Sequence, residues 1–168
     1  MKAYLANGLF SYADQLLNKS VATMIRKVNK NIDLYVPQEN ETLNDKEVYA
    51  NSQMIFEGDN FYLDKTDLLI AVIDGVEIDS GVAAEIGRFT AICEYEIKYT
   101  GTTNRKVYAL YTDVRRQGAN NLKKINALQE DSTENQFMYR NLYVIGAIKK
   151  YGTIFTSVPE LIEALKNE

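Results

Sequence analysis

A doubly wound α/β domain is predicted, of flavodoxin-like or Rossmann-like topology, with about five parallel strands and helices on both faces of the sheet. Three observations lead there. Strand-like and helix-like periodicities alternate along the whole chain, which is the signature of β-α-β units and their right-handed crossovers. The strand runs are continuously apolar, as strands covered on both faces must be. The most apolar of them, residues 67–74, runs into the acids Asp74, Glu77 and Asp79, and a helix follows. Open α/β sheets bind ligands beyond such strand ends. The chain of 168 residues, 46% of them hydrophobic, is expected to form a single domain over 1–168.

The elements follow in order. Residues 3–6 form a short apolar strand closed by Asn7-Gly8, and from Leu9 onward Tyr12, Ala13, Leu16, Leu17, Met24, Ile25 and Val28 recur at helical spacing. Residues 33–37 read as a second strand stopped by Pro37, 38–45 as a polar loop, and 46–65 as a helix. The third strand is 67–74, with a helix over 80–95. A fourth strand at 106–112 opens into a polar segment, 113–133, long enough to serve as a lid. A helix at 137–151, a short strand at 153–156 and a capped helix complete the pattern. The cap is Ser157-Val-Pro-Glu160, a capping box.

Composition removes several kinds of chemistry. Histidine is absent and Cys93 is the only cysteine. Intrachain disulfides, zinc sites of the usual Cys/His kind and Ser-His-Asp or Cys-His mechanisms are therefore excluded. No metal site and no cofactor is expected: neither a Walker A sequence nor Gly-x-Gly-x-x-Gly occurs. Cys93, with no basic neighbour to lower its pKa, reads as a packed thiol. The formal charge of -4 and the scattered basic residues argue against a nucleic-acid partner. No apolar run approaches the roughly 20 residues of a membrane span, and the start of the chain does not read as a secretory signal. A soluble, cytoplasmic protein is expected.

Glu85 is the leading candidate for chemistry. It lies between Ala83-Ala84 and Ile86-Gly87, and Gly81 and Gly87 remove side chains that would otherwise fill the space beside it. A carboxylate among small and apolar neighbours is a candidate nucleophile or acid/base. Taken singly, Asp59 reads as a helix-face acid, Asp79 as a loop acid with Asp79 or Ser80 as the helix N-cap, Gly8 as part of a plain strand-to-helix turn or of one that lets a small ligand approach the backbone, and Phe10 as core. Arg115 and Arg116 follow the fourth strand and offer guanidinium groups to a 5'-phosphate, or simply a solvated loop.

Tyr4-Leu-Ala-Asn-Gly-Leu-Phe10, then Asp59 in advance of Asp67, then Asp79-Ser-Gly-Val-Ala-Ala-Glu85-Ile-Gly87, resembles the nucleoside 2-deoxyribosyltransferase family in order and spacing over the first part of the chain. The resemblance implies transfer of 2-deoxyribose between nucleobases. It implies Glu85 as nucleophile at the anomeric carbon, Asp59 as acid/base towards the base, and Tyr4 orienting Glu85. It further implies Asp79 on the sugar hydroxyls, Phe10 near the base, and Asn141 with Tyr143 presented from a neighbouring subunit, where the family carries an Asn-Leu-Met-like segment. Deoxyribonucleosides and free nucleobases would be the small-molecule partners, and the protein a homo-oligomer sharing sites between subunits.

Two other readings are open to the same residues. One is an N-glycosidase that hydrolyses deoxynucleoside 5'-monophosphates, with water as acceptor and Arg115 or Arg116 on the phosphate. The other is a non-catalytic, receiver-like or small-ligand-binding module with Asp74 at the phosphoacceptor position. Receiver domains need an acidic pair after the first strand, and Ala6-Asn7-Gly8 has none.

Overall fold

The computed structural model describes residues 1–44, 47 and 49–168. β3 (Leu68–Val72) is buried at every residue and occupies the centre of a five-stranded, all-parallel sheet. The others are β1 (Lys2–Ala6), β2 (Asp33–Tyr35), β4 (Lys106–Leu110) and β5 (Gly152–Phe155), in the order β2-β1-β3-β4-β5. The chain moves outward from β1 to β2, then crosses back to β3 on the other side. The topological switch point therefore falls between β1 and β3, and their carboxyl ends open a crevice there.

Alternation along the strands builds two cores. Ala3 and Leu5 of β1 and Leu68, Ile70 and Val72 of β3 face one side, packed with Val21, Ala22 and Ile25 of α1 (Tyr12–Val28) and with Leu161 and Leu165 of α7 (Val158–Leu165). Tyr4, Ala6, Leu69 and Ala71 face the other. There they meet Leu63 of α3 (Ser52–Leu63), Val82, Ile86, Phe89 and Cys93 of α4 (Ser80–Thr100), and Val144 and Ile148 of α6 (Leu142–Tyr151). The period of 2 in the strands thus decides that Tyr4 points toward α3 and α4.

Local signals set most helix boundaries. Ser11 accepts from the Asp14 amide to start α1, slightly later than the expected Leu9. Asp79 accepts from the Gly81 and Val82 amides at 2.9 and 3.1 Å to start α4. α4 runs beyond residue 95 and ends where Gly101 adopts φ 84°, a left-handed conformation natural to glycine. Ser157 caps α7 by accepting from the Glu160 amide, while the Glu160 carboxylate reaches back to accept from the amide and hydroxyl of Thr156.

Several expectations are corrected. The helix expected over 46–65 begins only at Ser52, because Asn51 caps it by accepting from the Met54 amide. A short α2 (Glu41–Asn44) stands within the expected loop, and Lys46 lies outside the described residues. α6 begins at Leu142 rather than 137, since Asn141 caps it through the Tyr143 and Val144 amides. The polar segment 113–133 carries helix α5 (Leu122–Glu130), capped by Asn121. Its two arginines are engaged locally. Arg115 forks onto Asp113, and Arg116 donates to the Thr156 carbonyl.

Candidate active site

The crevice at the switch point holds a cavity of about 210 Å³. Its floor comes from the β1 turn (Asn7, Gly8), with Phe10 at its rim, one wall from α3 (Ile55, Asp59) and the other from the start of α4 (Asp79, Gly81, Glu85). Ile55 and Asp59 are one helical turn apart, so α3 presents both to the same space. Gly81 leaves room for the cap, because a Cβ there would stand 3.0 Å from Oδ1 of Asp79 and the capping carboxylate would have to shift by a few tenths of an ångström. Gly87 is not: a Cβ at that position meets nothing within 4 Å, which corrects the expectation that it clears space for Glu85. The Asn7 and Asn18 side chains, joined at 2.8 Å, stiffen the turn, and Asn18 also donates to the Gly8 carbonyl and to Gln38.

Glu85 is the carboxylate whose pKa is raised furthest among the described residues. The Tyr4 hydroxyl donates to its Oε1 at 2.5 Å. Burial, with Asp59 and Asp79 adding like charge, pushes its pKa up to about 7, while the Tyr4 hydrogen bond opposes the rise. Burial beside Glu85 in turn holds the Tyr4 phenol far above its ordinary range. Asp59 is also raised by burial, offset in part by the Tyr35 hydroxyl. Among the described residues neither Glu85 nor Asp59 has an ion-pair partner. The helices carrying them are joined below the cavity, where Arg88 of α4 grips Asp64 through bonds of 2.8 and 2.7 Å.

The arrangement places two raised carboxylates, from different helices, around one small cavity. One of them is oriented by a phenol, and together they suit nucleophilic and acid/base chemistry at an anomeric carbon. Among the described residues no group of three or more histidine, cysteine, aspartate or glutamate side chains is placed to hold a metal ion.

The structure brings Tyr4, Gly8, Phe10, Asp59, Asp79 and Glu85 together at this point. Phe10 is 76% exposed at the cavity rim, which corrects its reading as core. Asn141 instead borders a separate cavity of about 650 Å³, with Arg140 and Met138 on one side and Ile78 and Ala83 on the other. Arg140 fixes that border, stacked over Tyr111 and 3.4 Å from Asp113. Tyr143 projects from α6 with 85% of its surface exposed. Arg115, Arg116 and the rest of the segment 113–133 line no part of the Glu85 cavity. Asp74 is taken up structurally, accepting from the Thr112 amide and hydroxyl and from the Asp113 amide.

Reading the sequence alone missed Tyr35, Tyr62 and Asn40. Tyr35 lies under the α3 wall, stacked on Tyr62 with ring centroids 3.7 Å apart, and its hydroxyl takes a hydrogen bond from the side-chain Nδ2 of Asn40 at 3.0 Å.

The family model for nucleoside 2-deoxyribosyltransferase matches residues 3–128, which include every residue that lines this cavity. The chain belongs to the nucleoside 2-deoxyribosyltransferase family. Membership supports an enzyme of the 2-deoxyribosyltransferase type, and the family implies nucleosides and nucleobases as substrates. A conserved protein from Enterococcus faecalis V583 is 46% identical, with a TM-score of 0.85 over 99% of this chain and 98% of that one. An uncharacterized protein of Ureaplasma parvum serovar 3 is 37% identical over 125 residues, 68% of this chain and 72% of the relative. The 2-deoxyribosyltransferase from Bacillus psychrosaccharolyticus is 16% identical and shares the fold, with a TM-score of 0.63 over 100% of this deoxyribosyltransferase-family chain and 92% of its own.

Proposed function

We propose that this protein exchanges nucleobases on 2-deoxyribose by double displacement. Glu85 attacks C1' of a deoxyribonucleoside from one side, and the N-glycosidic electron pair leaves with the base, which takes a proton from Asp59. An incoming base then attacks C1' of the deoxyribosyl-glutamate and returns its proton to Asp59, and Glu85 departs. Two inversions give net retention. Asp79, with one carboxylate oxygen committed to the α4 cap, has the other for sugar hydroxyls, and Phe10 at the rim suits stacking on a base. The observation that carries this reading is the raised Glu85 carboxylate, held by Tyr4 in one cavity with Asp59.

The described lining of that cavity carries no lysine or arginine, which favours uncharged deoxynucleosides over 5'-monophosphates as donors. Its volume, about 210 Å³, is below the roughly 300–1,000 Å³ of closed small-molecule sites. A second copy of the chain, presenting its Asn141 and Tyr143, would complete the enclosure. The exposed Tyr139, Leu142 and Tyr143 beside the small residues Gly146 and Ala147 form a surface suited to that homo-oligomeric contact. We place this exchange in cytoplasmic nucleoside salvage.

The test is base exchange. The protein is incubated with 2'-deoxyinosine and adenine, and separately with thymidine and a second pyrimidine, and products are resolved chromatographically. New deoxynucleosides should form, and Glu85→Ala should form none. A 2-fluoro-substituted deoxynucleoside donor should label Glu85. Free deoxyribose 5-phosphate released from a nucleotide, with no interception by added base, would replace this reading with hydrolysis.

A further inference from the structure

Tyr4 and Tyr35 are direct partners in the parallel register of β1 and β2, so both side chains leave the sheet on the same face. Tyr4 ends on Glu85. The Tyr35 ring sits between its neighbours, 5.2 Å from the Tyr4 ring and 3.7 Å from the Tyr62 ring in a near-parallel stack of 10°. One stacked neighbour, one tilted neighbour and a strand backbone leave the Tyr35 ring little freedom. Its hydroxyl accepts from the side-chain Nδ2 of Asn40 at 3.0 Å, which leaves the phenolic proton directed to Oδ1 of Asp59 at 3.5 Å. That last distance is long, as bonds to catalytic groups are before substrate closes the site.

We propose that Tyr35 is the positioning residue of the acid/base carboxylate: held by Asn40, by the stack on Tyr62 and by the tilted Tyr4 ring, its hydroxyl aims Asp59 across the cavity at Glu85. The inference rests on the exchange reaction proposed above and extends it to a residue that touches no substrate. Asn40 donates to Tyr35 and Tyr35 to the Asp59 carboxylate, each bond polarising the next. Because Tyr35 donates to the ionised carboxylate, it favours the charged form and offsets part of the rise that burial imposes on Asp59. Among the described residues, the ionisable groups around Asp59 are Tyr4 from β1, Tyr35 from β2, Tyr62 from its own helix, and Glu85 with Asp79 from α4. The Tyr35 phenol is itself pushed up to about 12, so it stays a donor across the working range.

The variant is Tyr35→Phe, which keeps the ring and its stacking and removes only the hydroxyl. The first readout needs no activity: carboxyl carbon NMR of the full-length, ligand-free protein, with the Asp59 signal assigned by its loss in Asp59→Asn. Asp59 should titrate at higher pH in Y35F than in wild type. The second is the pH dependence of exchange, in which the limb governed by Asp59 should move to higher pH. At the wild-type optimum kcat should fall by about tenfold, a fraction of what an acid/base group supplies, with KM within about twofold. An Asp59 titration and pH profile unchanged in Y35F would overturn the proposal, because a ring that only packs is fully conserved in phenylalanine. If wild type exchanges no base, the reaction reading fails, and the NMR titration still decides the role of Tyr35.

Discussion

The Tyr4 hydroxyl donates to Glu85 Oε1 at 2.5 Å, from a β1 residue to an α4 residue 81 positions away in the chain. This single bond ties the central sheet to the helix bearing the candidate nucleophile. It is also the one contact that lowers the Glu85 pKa against burial and two neighbouring acids.

Removing that hydroxyl should therefore weaken the nucleophile. In Tyr4→Phe, Glu85 should titrate above its present value near 7, leaving less carboxylate at neutral pH. Exchange at pH 7 should drop by about fivefold, and the loss should shrink as pH rises toward 9, since a shift of one pKa unit changes the ionised fraction by at most about tenfold. A pH series of initial rates for both proteins checks this.

Glu85 should also cost stability at neutral pH. Its folded-state pKa of about 7 stands above the ordinary 4.5, so the native state binds the proton more tightly than the unfolded chain does. Stability then falls as pH rises through the window between those values, by at most about 3 kcal/mol from this group. Glu85→Gln cannot ionise and should escape the loss. Denaturant unfolding should find it more stable than wild type at pH 8, with the advantage shrinking toward pH 4.

Asp79 has two separable tasks. Asparagine caps a helix about as well as aspartate, whereas alanine does not. Asp79→Asn should keep the stability of α4 while lowering exchange activity. Asp79→Ala should lose activity and about 1 kcal/mol of stability as well. Parallel melts and rate measurements on the two variants separate capping from sugar binding.

Gly152 is fixed by the sheet. An added Cβ there would stand 1.6 Å from the Val107 carbonyl oxygen, against the backbone of the neighbouring strand. Because β4 and β5 pair at this position, Gly152→Ala must break the Val107 to Gly152 register or displace the strand. A loss of several kcal/mol, as expected for severe overpacking, should appear as a strongly lowered Tm by circular dichroism.

Much of this architecture was legible because it rests on local chemistry. The unbroken apolar run of β3 and the caps at Asp79 and Ser157 each act within a few residues of themselves. The site acids were legible for a related reason, since Asp79 and Glu85 follow one strand and share one helix start. What escaped depended on distant neighbours. Phe10 looks like core from its composition alone, and only the crevice at the switch point leaves it at a rim. The apolar stretch Phe137, Met138, Tyr139 reads as helix, yet its residues border a cavity and the helix waits for the Asn141 cap. Tyr35 looks like any strand aromatic until the β1–β2 register sets it beside Tyr4.

Cys93, the chain's single thiol, is fully buried in α4, and burial pushes its pKa up to about 11. Maleimide and other thiol reagents should accordingly leave the native wild-type protein unmodified. A cysteine introduced at an exposed rim position such as Phe10 would then be uniquely addressable, so a fluorophore or spin label can be attached at the mouth of the crevice without first rebuilding the interior.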